Sequence, residues 1–285
     1  MNGPARFECR DVTGEVVAVT LPVKRAVSLV PAITETVFAL GAGEALVGRT
    51  RYCIKPVPDV RAIETVGGTK DPNVARIIAL APDIVLANRE ENVKRDVDAL
   101  RTAGVTVHVA EPQTPDDALR SIALYASLFD CVEKGLRIVV RGEAVLEQLR
   151  RELAQAAAAD ALRLKPRGKP RVVCFIWRNP WMAVGRDTFI GSMIETLGGV
   201  NVFADAKERY FEIPLADAAA ASPDIILLPS EPYHFKPDDV EELRAAFPQM
   251  PASRNNAIRL CDGEDLSWAG ARTPDALLRL RPLFV

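Results

Sequence analysis

Short apolar runs alternate with amphipathic runs through the first half of the chain. Residues 26–30 and 84–87 are dominated by Ala, Val, Leu and Ile and have the length of buried strands. Residues 93–103 place apolar side chains at helical spacing and stop at Gly104, which suits the position that follows a helix. Another helix is predicted to start at residues 114–117, where a proline precedes two acids. Strands that alternate with helices in this way predict a parallel, doubly wound α/β sheet.

The middle of the chain lacks the strand pattern. Residues 130–164 are rich in Ala, Leu, Glu, Arg and Gln and keep apolar side chains at helical spacing. About 30 helical residues would extend about 45 Å, which exceeds the width of a small lobe. A single helix of this length could bridge two lobes. Two ordinary helices with a break near Gly142 are the alternative.

The alternation of strands and helices resumes after residues 165–170, whose sequence KPRGKP is typical of an exposed linker. We predict an N-terminal α/β lobe at residues 1–130, a bridging helix at 131–164 and a C-terminal α/β lobe at 165–285. A short hairpin is expected before the first core strand, at residues 7–21. In the C-terminal lobe, strands are predicted at 171–176, 225–228 and 257–260, and helices at 188–197, 217–221, 237–246 and 274–280.

Composition narrows the functional class. The 285 residues carry 36 basic and 38 acidic side chains, and this net charge of −2 does not indicate a nucleic-acid or anionic-membrane partner. No apolar run approaches the roughly 20 residues of a membrane-spanning helix. The first residues, MNGPARFECRD, lack the roughly 7–15 apolar residues expected of a secretion signal. We expect the cytoplasm for the chain as written, and the periplasm if a signal lies upstream or has been trimmed.

Ligands of open α/β sheets bind outside the carboxyl ends of the strands, so the loops after the predicted strands are the candidate site. All three tryptophans fall in these loops although only 6% of the residues are aromatic, and flat aromatic faces suit a large planar ligand. The alternative is that the aromatics cap the lobe cores and the arginines are solvated or ion-paired. The candidate ligand-binding residues are Pro31, Arg51, Tyr52, Arg89, Trp177, Arg178, Trp181, His234 and Trp268.

Few residues have catalytic or metal-binding chemistry. Of the two histidines, His108 lies inside an apolar strand pattern and is interpreted as a core or edge residue. His234 would form a metal site with Glu231, Asp262 and Glu264 only if their loops converge, so no metal is assigned.

No serine-hydrolase, zinc-protease or phosphate-loop pattern occurs, and we expect a protein that is not an enzyme. The scattered cysteines favour reduced, mostly buried thiols over disulfides: Cys9, Cys53, Cys131, Cys174 and Cys261.

Several motifs resemble those of a known family. Residues 25–43 read RAVSLVPAITETVFALGAG, in which a strand passes through Pro31 into a helix that stops at Gly41. Further motifs follow in order: Val47–Gly48, Val66–Gly67–Gly68 with Pro72–Asn73, IIALAPD at 77–83, TFIGSMIETLGGVNVF at 188–203 and SPDIILL at 222–228. Together they resemble the helical-backbone, periplasmic-binding-protein-like receptors, the vitamin B12 and ferric-siderophore group. The resemblance covers most of the chain and is more specific for the fold than for the ligand.

The resemblance implies two Rossmann-like lobes joined by a single long backbone helix. It also implies a receptor without catalysis or intrinsic cofactor, which holds cobalamin, cobinamide or a related metal chelate in the cleft between the lobes. In the vitamin B12 receptors an aromatic residue after the second strand lies on the corrin, and Tyr52 matches that position. Tyr210 approximately matches a second aromatic position, whereas Thr69 stands where the family has a tryptophan.

The resemblance further implies docking onto an ABC permease through one acid on each lobe. Ala75 and Ala216 occupy these positions, so both acids are expected to be lost, unless Asp217 replaces the second. One alternative is the binding of an anionic ferric-siderophore-type chelate by arginines in the candidate loops. Another is a cytoplasmic regulatory or partner-binding protein that reuses the fold without transport. The arginines concerned are Arg49, Arg51, Arg89 and Arg178.

Overall fold

The computed structural model describes residues 5–164, 166 and 168–284. Contacts between residues divide the chain into two compact units, and the boundary falls inside the longest helix. The first unit comprises the residues up to Pro112 with Asp116–Arg141 and Ala269–Ala271, and the second comprises Gln113–Pro115, Gly142–Trp268 and the residues from Arg272 onward.

The predicted segment boundaries at residues 130 and 164 treat the long helix as a segment of its own, and they stay predictions. The predicted linker at residues 165–170 includes Lys165 and Arg167, which lie outside the described residues. Within the described residues, no helix combines the length and apolar character that a bilayer-spanning segment requires.

The first unit opens with an antiparallel hairpin, as predicted, formed by β1 (Arg6–Arg10) and β2 (Val16–Thr20). A parallel sheet follows, whose strands are β3 (Ala26–Ser28), β4 (Leu46–Arg49), β5 (Ile84–Asn88) and β6 (Val107–Ala110), in the order β4-β3-β5-β6. The helices are α1 (Pro31–Ala39), α2 (Val74–Ala79), α3 (Lys94–Thr102) and α4 (Pro115–Leu128), with short 3₁₀ turns at Gly43–Ala45 and Asp59–Ala62.

The connection between β3 and α1 is tight and buried. Pro31 occupies the first turn of α1, where its missing N–H costs no hydrogen bond. Thr34 Oγ1 lies 2.8 Å from Ser28 Oγ and 3.1 Å from the carbonyl oxygen of Val30. The helix ends before Gly41, whose φ of 79° is left-handed and therefore favours glycine. The predicted strand–proline–helix turn is confirmed.

The helix α5 (Val132–Ala161) runs for 30 residues without interruption. It passes Gly142 as a regular helix, so the alternative of two helices with a break near that residue is wrong. Its first part, to Arg141, belongs to the first unit and the remainder to the second. The prediction of a single long helix joining two α/β units is confirmed.

The second unit is built on a mixed sheet. Its strands are β7 (Arg171–Trp177), β8 (Met182–Val184), β9 (Val200–Asn201), β10 (Tyr210–Glu212), β11 (Ile225–Pro229) and β12 (Ile258–Cys261), in the order β10-β8-β7-β11-β12 with β9 beside the start of β7. The helices are α6 (Phe189–Thr196), α7 (Leu215–Ala220), α8 (Pro237–Ala246), α9 (Pro251–Arg254), α10 (Gly263–Ser267) and α11 (Thr273–Leu280), followed by a 3₁₀ turn at Arg281–Phe284.

The three strands predicted for the second unit form within one residue of the expected bounds. The structure adds β8 and β10, which run antiparallel to their neighbours at one edge of the sheet. Each has only three residues, too few for an alternating pattern to be visible in the sequence. The segment after β7 is therefore a hairpin rather than the open loop that we expected.

That hairpin places Trp181 against the core of the second unit. Its ring lies 4.9 Å from Phe175 and is stacked on Phe235 at 5.7 Å, measured between ring centroids. Trp177 ends β7 and is 41% exposed, with one edge-to-face contact to Tyr233 at 5.8 Å. Two tryptophans four residues apart thus have different environments: Trp181 is partly buried and packs against the core, and Trp177 presents its ring to solvent.

The hairpin β1–β2 is attached to the edge strand β6 through Asp11. This buried carboxylate accepts hydrogen bonds from the Val109 N–H at 3.0 Å and from Arg101 Nη2 at 2.6 Å. Burial raises the pKa of Asp11, but these bonds, those from Thr13 and the Arg101 charge outweigh burial and leave it lowered. The neighbouring His108 is buried against Tyr125, and burial lowers its pKa below 6.5.

Acidification is expected to destabilise the protein through His108. Because its folded pKa is below the unfolded value of about 6.5, the unfolded chain binds more protons between the two values, and stability is lost as the pH falls below about 6.5. The contribution of Asp11 is lost only at lower pH, as its folded pKa is approached. Urea unfolding at pH 7.5, 6.5 and 5.5 should show a smaller decline for His108→Phe than for the wild type. Parallel declines would contradict this assignment.

The two tryptophans of the β7–β8 hairpin are expected to differ in their contribution to stability. Trp181→Ala removes a ring that packs against Phe175 and Phe235 and should lower the free energy of unfolding by about 3–5 kcal/mol. Trp177→Ala removes one ring contact from a partly exposed site and should cost about 0.5–1.5 kcal/mol. Urea denaturation of both variants measures the difference, and equal losses would show that Trp177 is also a core residue.

Candidate functional site

In the first unit, Tyr52 is the exposed aromatic at the carboxyl edge of the sheet. It follows β4 and is 51% exposed. The guanidinium of Arg51 lies 5.2 Å from the centre of its ring, within the range of a cation–π contact. The same guanidinium contacts both carboxylate oxygens of Asp71 at 2.8 Å. One face of the tyrosine is therefore bordered by an ion pair, and the ring itself is accessible.

A buried polar cluster supports the segment that carries Tyr52. Ser28, Thr34, Thr50 and Cys53 are all inaccessible to solvent. The Thr50 hydroxyl lies 3.2 Å from Cys53 Sγ, and the Cys53 N–H donates to the Thr50 carbonyl at 3.1 Å. Burial raises the pKa of the Cys53 thiol, which keeps it protonated and unreactive. The cluster therefore acts as a fixed base for the loop.

Two further predicted site residues of the first unit, Pro31 and Arg89, lie away from the Tyr52 loop in the sequence and have different surroundings. Pro31 is buried in the first turn of α1 and shapes the backbone there. Arg89 follows β5, is largely exposed and pairs with Glu111 at 3.1 Å. Arg89 lies beside a cavity of about 400 Å³ that extends to Arg101 and the hairpin residue Val12.

In the second unit, Trp177 and Tyr233 form the exposed aromatic surface at the carboxyl edge. Trp177 ends β7, and Tyr233 follows β11, the strand that pairs with β7. Tyr233 is half-buried and also contacts Phe235 at 4.8 Å, so the pair rests on the core. Tyr233 was not among the predicted site residues. Its position in the loop after the apolar strand β11, four residues beyond Pro229, is the signal that could have identified it.

The other aromatic candidates of the second unit are less accessible than expected. Trp181 is partly buried against the core, and Trp268 is 7% exposed with the guanidinium of Arg272 over its ring at 4.9 Å. In β10, Tyr210 pairs with Val184 and Glu212 pairs with Met182. Met182 in turn pairs with Trp177, so Glu212, and not Tyr210, lies level with Trp177. Tyr210 is thus two residues, about 6.6 Å, from the level of Trp177. Trp181 and Trp268 therefore pack against other residues of the second unit and do not form an exposed aromatic surface.

Arg178 is held by two carboxylates of α8. It contacts Asp239, which is buried, and Glu242 at 2.6 Å. Its guanidinium also lies 5.6 Å from the centre of the Trp181 ring. Burial lowers the pKa of Arg178, but its carboxylate partners outweigh burial and raise it. This arginine is therefore fixed and charge-compensated by carboxylates of the same unit.

His234 is exposed beside a cavity of about 430 Å³ that also contacts Lys236 and Asp262. Its Nδ1 lies 3.2 Å from the carbonyl oxygen of Ser230. Among the described residues, no group of three or more His, Cys, Asp or Glu side chains is arranged to hold a metal ion. Glu231 instead accepts a hydrogen bond from Ser267 at 3.1 Å, and burial raises its pKa.

Comparison with known proteins identifies the family. Residues 27–264 match the model of the family described as periplasmic binding protein. The vitamin B12-binding protein of Salmonella paratyphi A is 30% identical over 217 residues, which are 73% of this chain and 75% of that protein. The vitamin B12-binding protein of Vibrio cholerae serotype O1 is 25% identical over 266 residues, covering 93% and 91% of the two chains.

Solved structures agree with this assignment. The apo form of the periplasmic heme-binding protein RhuT from Roseiflexus sp. RS-1 has a TM-score of 0.75 at 26% identity, over 92% of this chain and 98% of that one. The periplasmic vitamin B12-binding protein BtuF of Vibrio cholerae has a TM-score of 0.76 at 22% identity, over 92% and 97%, a likeness that concerns the fold alone. The chain therefore belongs to the periplasmic binding protein family, and it is a substrate-binding receptor.

Proposed function

We propose that this receptor binds a corrinoid, or a related planar metal chelate, reversibly and without covalent chemistry. The observation that carries the proposal is the exposure of a flat aromatic ring at the carboxyl edge of each unit, Tyr52 in the first and Trp177 in the second. Aromatic rings bury large areas at little entropic cost, which suits a macrocycle. The names of the vitamin B12-binding and heme-binding relatives support the same ligand class.

The fixed surroundings of the two rings support binding rather than catalysis. Tyr52 is carried by a loop anchored on buried hydroxyls, and Trp177 rests on Tyr233 at the end of a central strand. Burial raises the pKa of Cys53, and that of Cys261 to about 12, so neither thiol supplies a thiolate nucleophile. We propose that the residues contacting the ligand include Tyr52, Trp177 and Tyr233.

Calorimetric titration tests the ligand class directly. Cobalamin and cobinamide should each bind with one-to-one stoichiometry, and ferric citrate and a ferric hydroxamate serve as chelates without a planar macrocycle. Binding of the ferric chelates alone would replace the corrinoid proposal with the siderophore alternative. Absence of binding by all four would contradict the proposal that the ligand is a corrinoid.

Substitution of the exposed rings tests the site. Tyr52→Ala and Trp177→Ala should each weaken binding of the corrinoid by about 1–3 kcal/mol, because each removes an aromatic contact area, while the melting temperature changes little. Leu136→Ala is the matched control, since Leu136 is an apolar side chain on α5 that is 59% exposed. Calorimetry and thermal unfolding measure the two effects. Unchanged affinity in both aromatic variants would contradict the site.

A second candidate function is a cytoplasmic carrier or regulator that keeps the receptor fold without an importer. Ala75 in α2 and Ala216 in α7 are exposed at the positions where the resemblance implies docking acids. The five cysteines are all unpaired, as is typical of a reducing compartment.

Binding to an importer tests this second candidate. The wild type should not bind a reconstituted vitamin B12 permease from Vibrio cholerae in a co-sedimentation assay, because alanine offers no charge to a basic docking surface. The double variant Ala75→Glu/Ala216→Glu should gain binding, with Leu136→Glu as a charge control. Saturable binding of the wild type would contradict the carrier function.

A further inference from the structure

The arginines at the carboxyl edges of the two sheets are all engaged by the protein itself. In the first unit, Arg51 contacts Asp71 at 2.8 Å and Arg89 contacts Glu111 at 3.1 Å. Arg49 donates to the carbonyl oxygens of Val60 at 2.7 Å and Thr50 at 3.0 Å. These are the side chains that would have to meet the carboxylate or phenolate oxygens of an anionic chelate.

The second unit shows the same arrangement with more acid than base. Arg178 stands between Asp239 and Glu242. Arg272 contacts Glu264 at 3.0 Å and Asp265 at 2.9 Å, and its side chain is 11% exposed. Arg272 also lies 4.0 Å from Asp262, and Arg279 shares Asp265 at 2.5 Å. Three arginines, Arg178, Arg272 and Arg279, therefore face five carboxylates, those of Asp239, Glu242, Asp262, Glu264 and Asp265. An anion approaching this edge meets a compensated or negative field rather than a free cation.

The aromatic rings remain accessible beside these ion pairs. An anionic ligand would need to break an existing pair, leaving a carboxylate of the protein without its partner. An uncharged amide periphery would instead accept and donate hydrogen bonds at the rim of the rings without displacing a charge. Binding of an anionic ligand therefore carries the free-energy cost of breaking an ion pair, and binding of an amide periphery does not. This difference provides a basis for selectivity.

We infer that the receptor selects a macrocycle with an uncharged or cationic periphery, amide rather than carboxylate, and that the ion pairs of Arg51 and Arg178 discriminate against anionic chelates. This inference rests on the proposed function. It assigns a specificity role to Asp71 and Glu242, which carry the exposed carboxylates of the two pairs.

Two corrins that share one ring and differ only in their periphery provide the test. Cobyrinic acid carries seven carboxylates, and its heptaamide carries none. Calorimetric titration at low salt should show the heptaamide binding at least tenfold more tightly, with the difference shrinking as salt screens the repulsion. Equal or tighter binding of the acid would overturn the inference and leave the proposed function intact. Failure of both corrins to bind would overturn the proposed function and the inference with it.

Single neutralisations identify the ion pairs responsible. Asp71→Asn releases the guanidinium group of Arg51, and Glu242→Gln leaves Arg178 with Asp239 as its remaining carboxylate partner. Each substitution should strengthen binding of cobyrinic acid severalfold while leaving binding of the heptaamide unchanged. Matched controls are Asp98→Asn, which releases Lys94 in α3, and Glu241→Gln, which releases Arg244 in α8. An equal gain in the controls would show that net charge sets the preference, and would overturn the assignment to these two pairs.

Discussion

The parallel arrangement of the central strands is the constraint on which the rest of the structure depends. A right-handed β–α–β connection returns each strand in the same direction, so the carboxyl ends of the parallel strands meet at one edge of each sheet. Tyr52, after β4, and Trp177, at the end of β7, are exposed for this reason. Local conformational preference does not explain either position, because the strands that support these side chains are placed by pairing within each sheet.

The long helix α5 could be predicted because its signal is local. Thirty residues of helical composition give the same indication whatever surrounds them. The same holds for β7, β11 and α8, where apolar runs and proline starts mark the bounds. The short antiparallel strands β8 and β10 carry no such signal. Their formation depends on pairing with β7, which is a tertiary property, and the environments of Trp181 and Tyr210 followed from that pairing.

The candidate site could be predicted only as a set of residue types at one edge. The sequence shows that Arg51 and Arg178 lie in loops after strands, and the resemblance adds Tyr52. It does not show that the partner of Arg51 lies 20 positions away or that Arg178 meets Asp239 across 61 positions. These long-range pairs decide whether an arginine is available to a ligand. The alternatives for the arginines were therefore open until the contacts were known.

The near-zero net charge of the chain can be interpreted only when the contacts between arginines and carboxylates are known. Thirty-six basic and 38 acidic side chains describe equally well a surface of free, alternating charges and one of closed ion pairs. At the carboxyl edges the second description holds, because the guanidinium groups are oriented by carboxylates of the same unit. An ion pair at an exposed site adds little stability, so stability alone does not account for several of them beside accessible aromatic rings. Their effect on the electrostatic field at these edges is the larger one, and under the proposed selectivity it makes charge the property by which the aromatic surfaces distinguish among chelates of similar size.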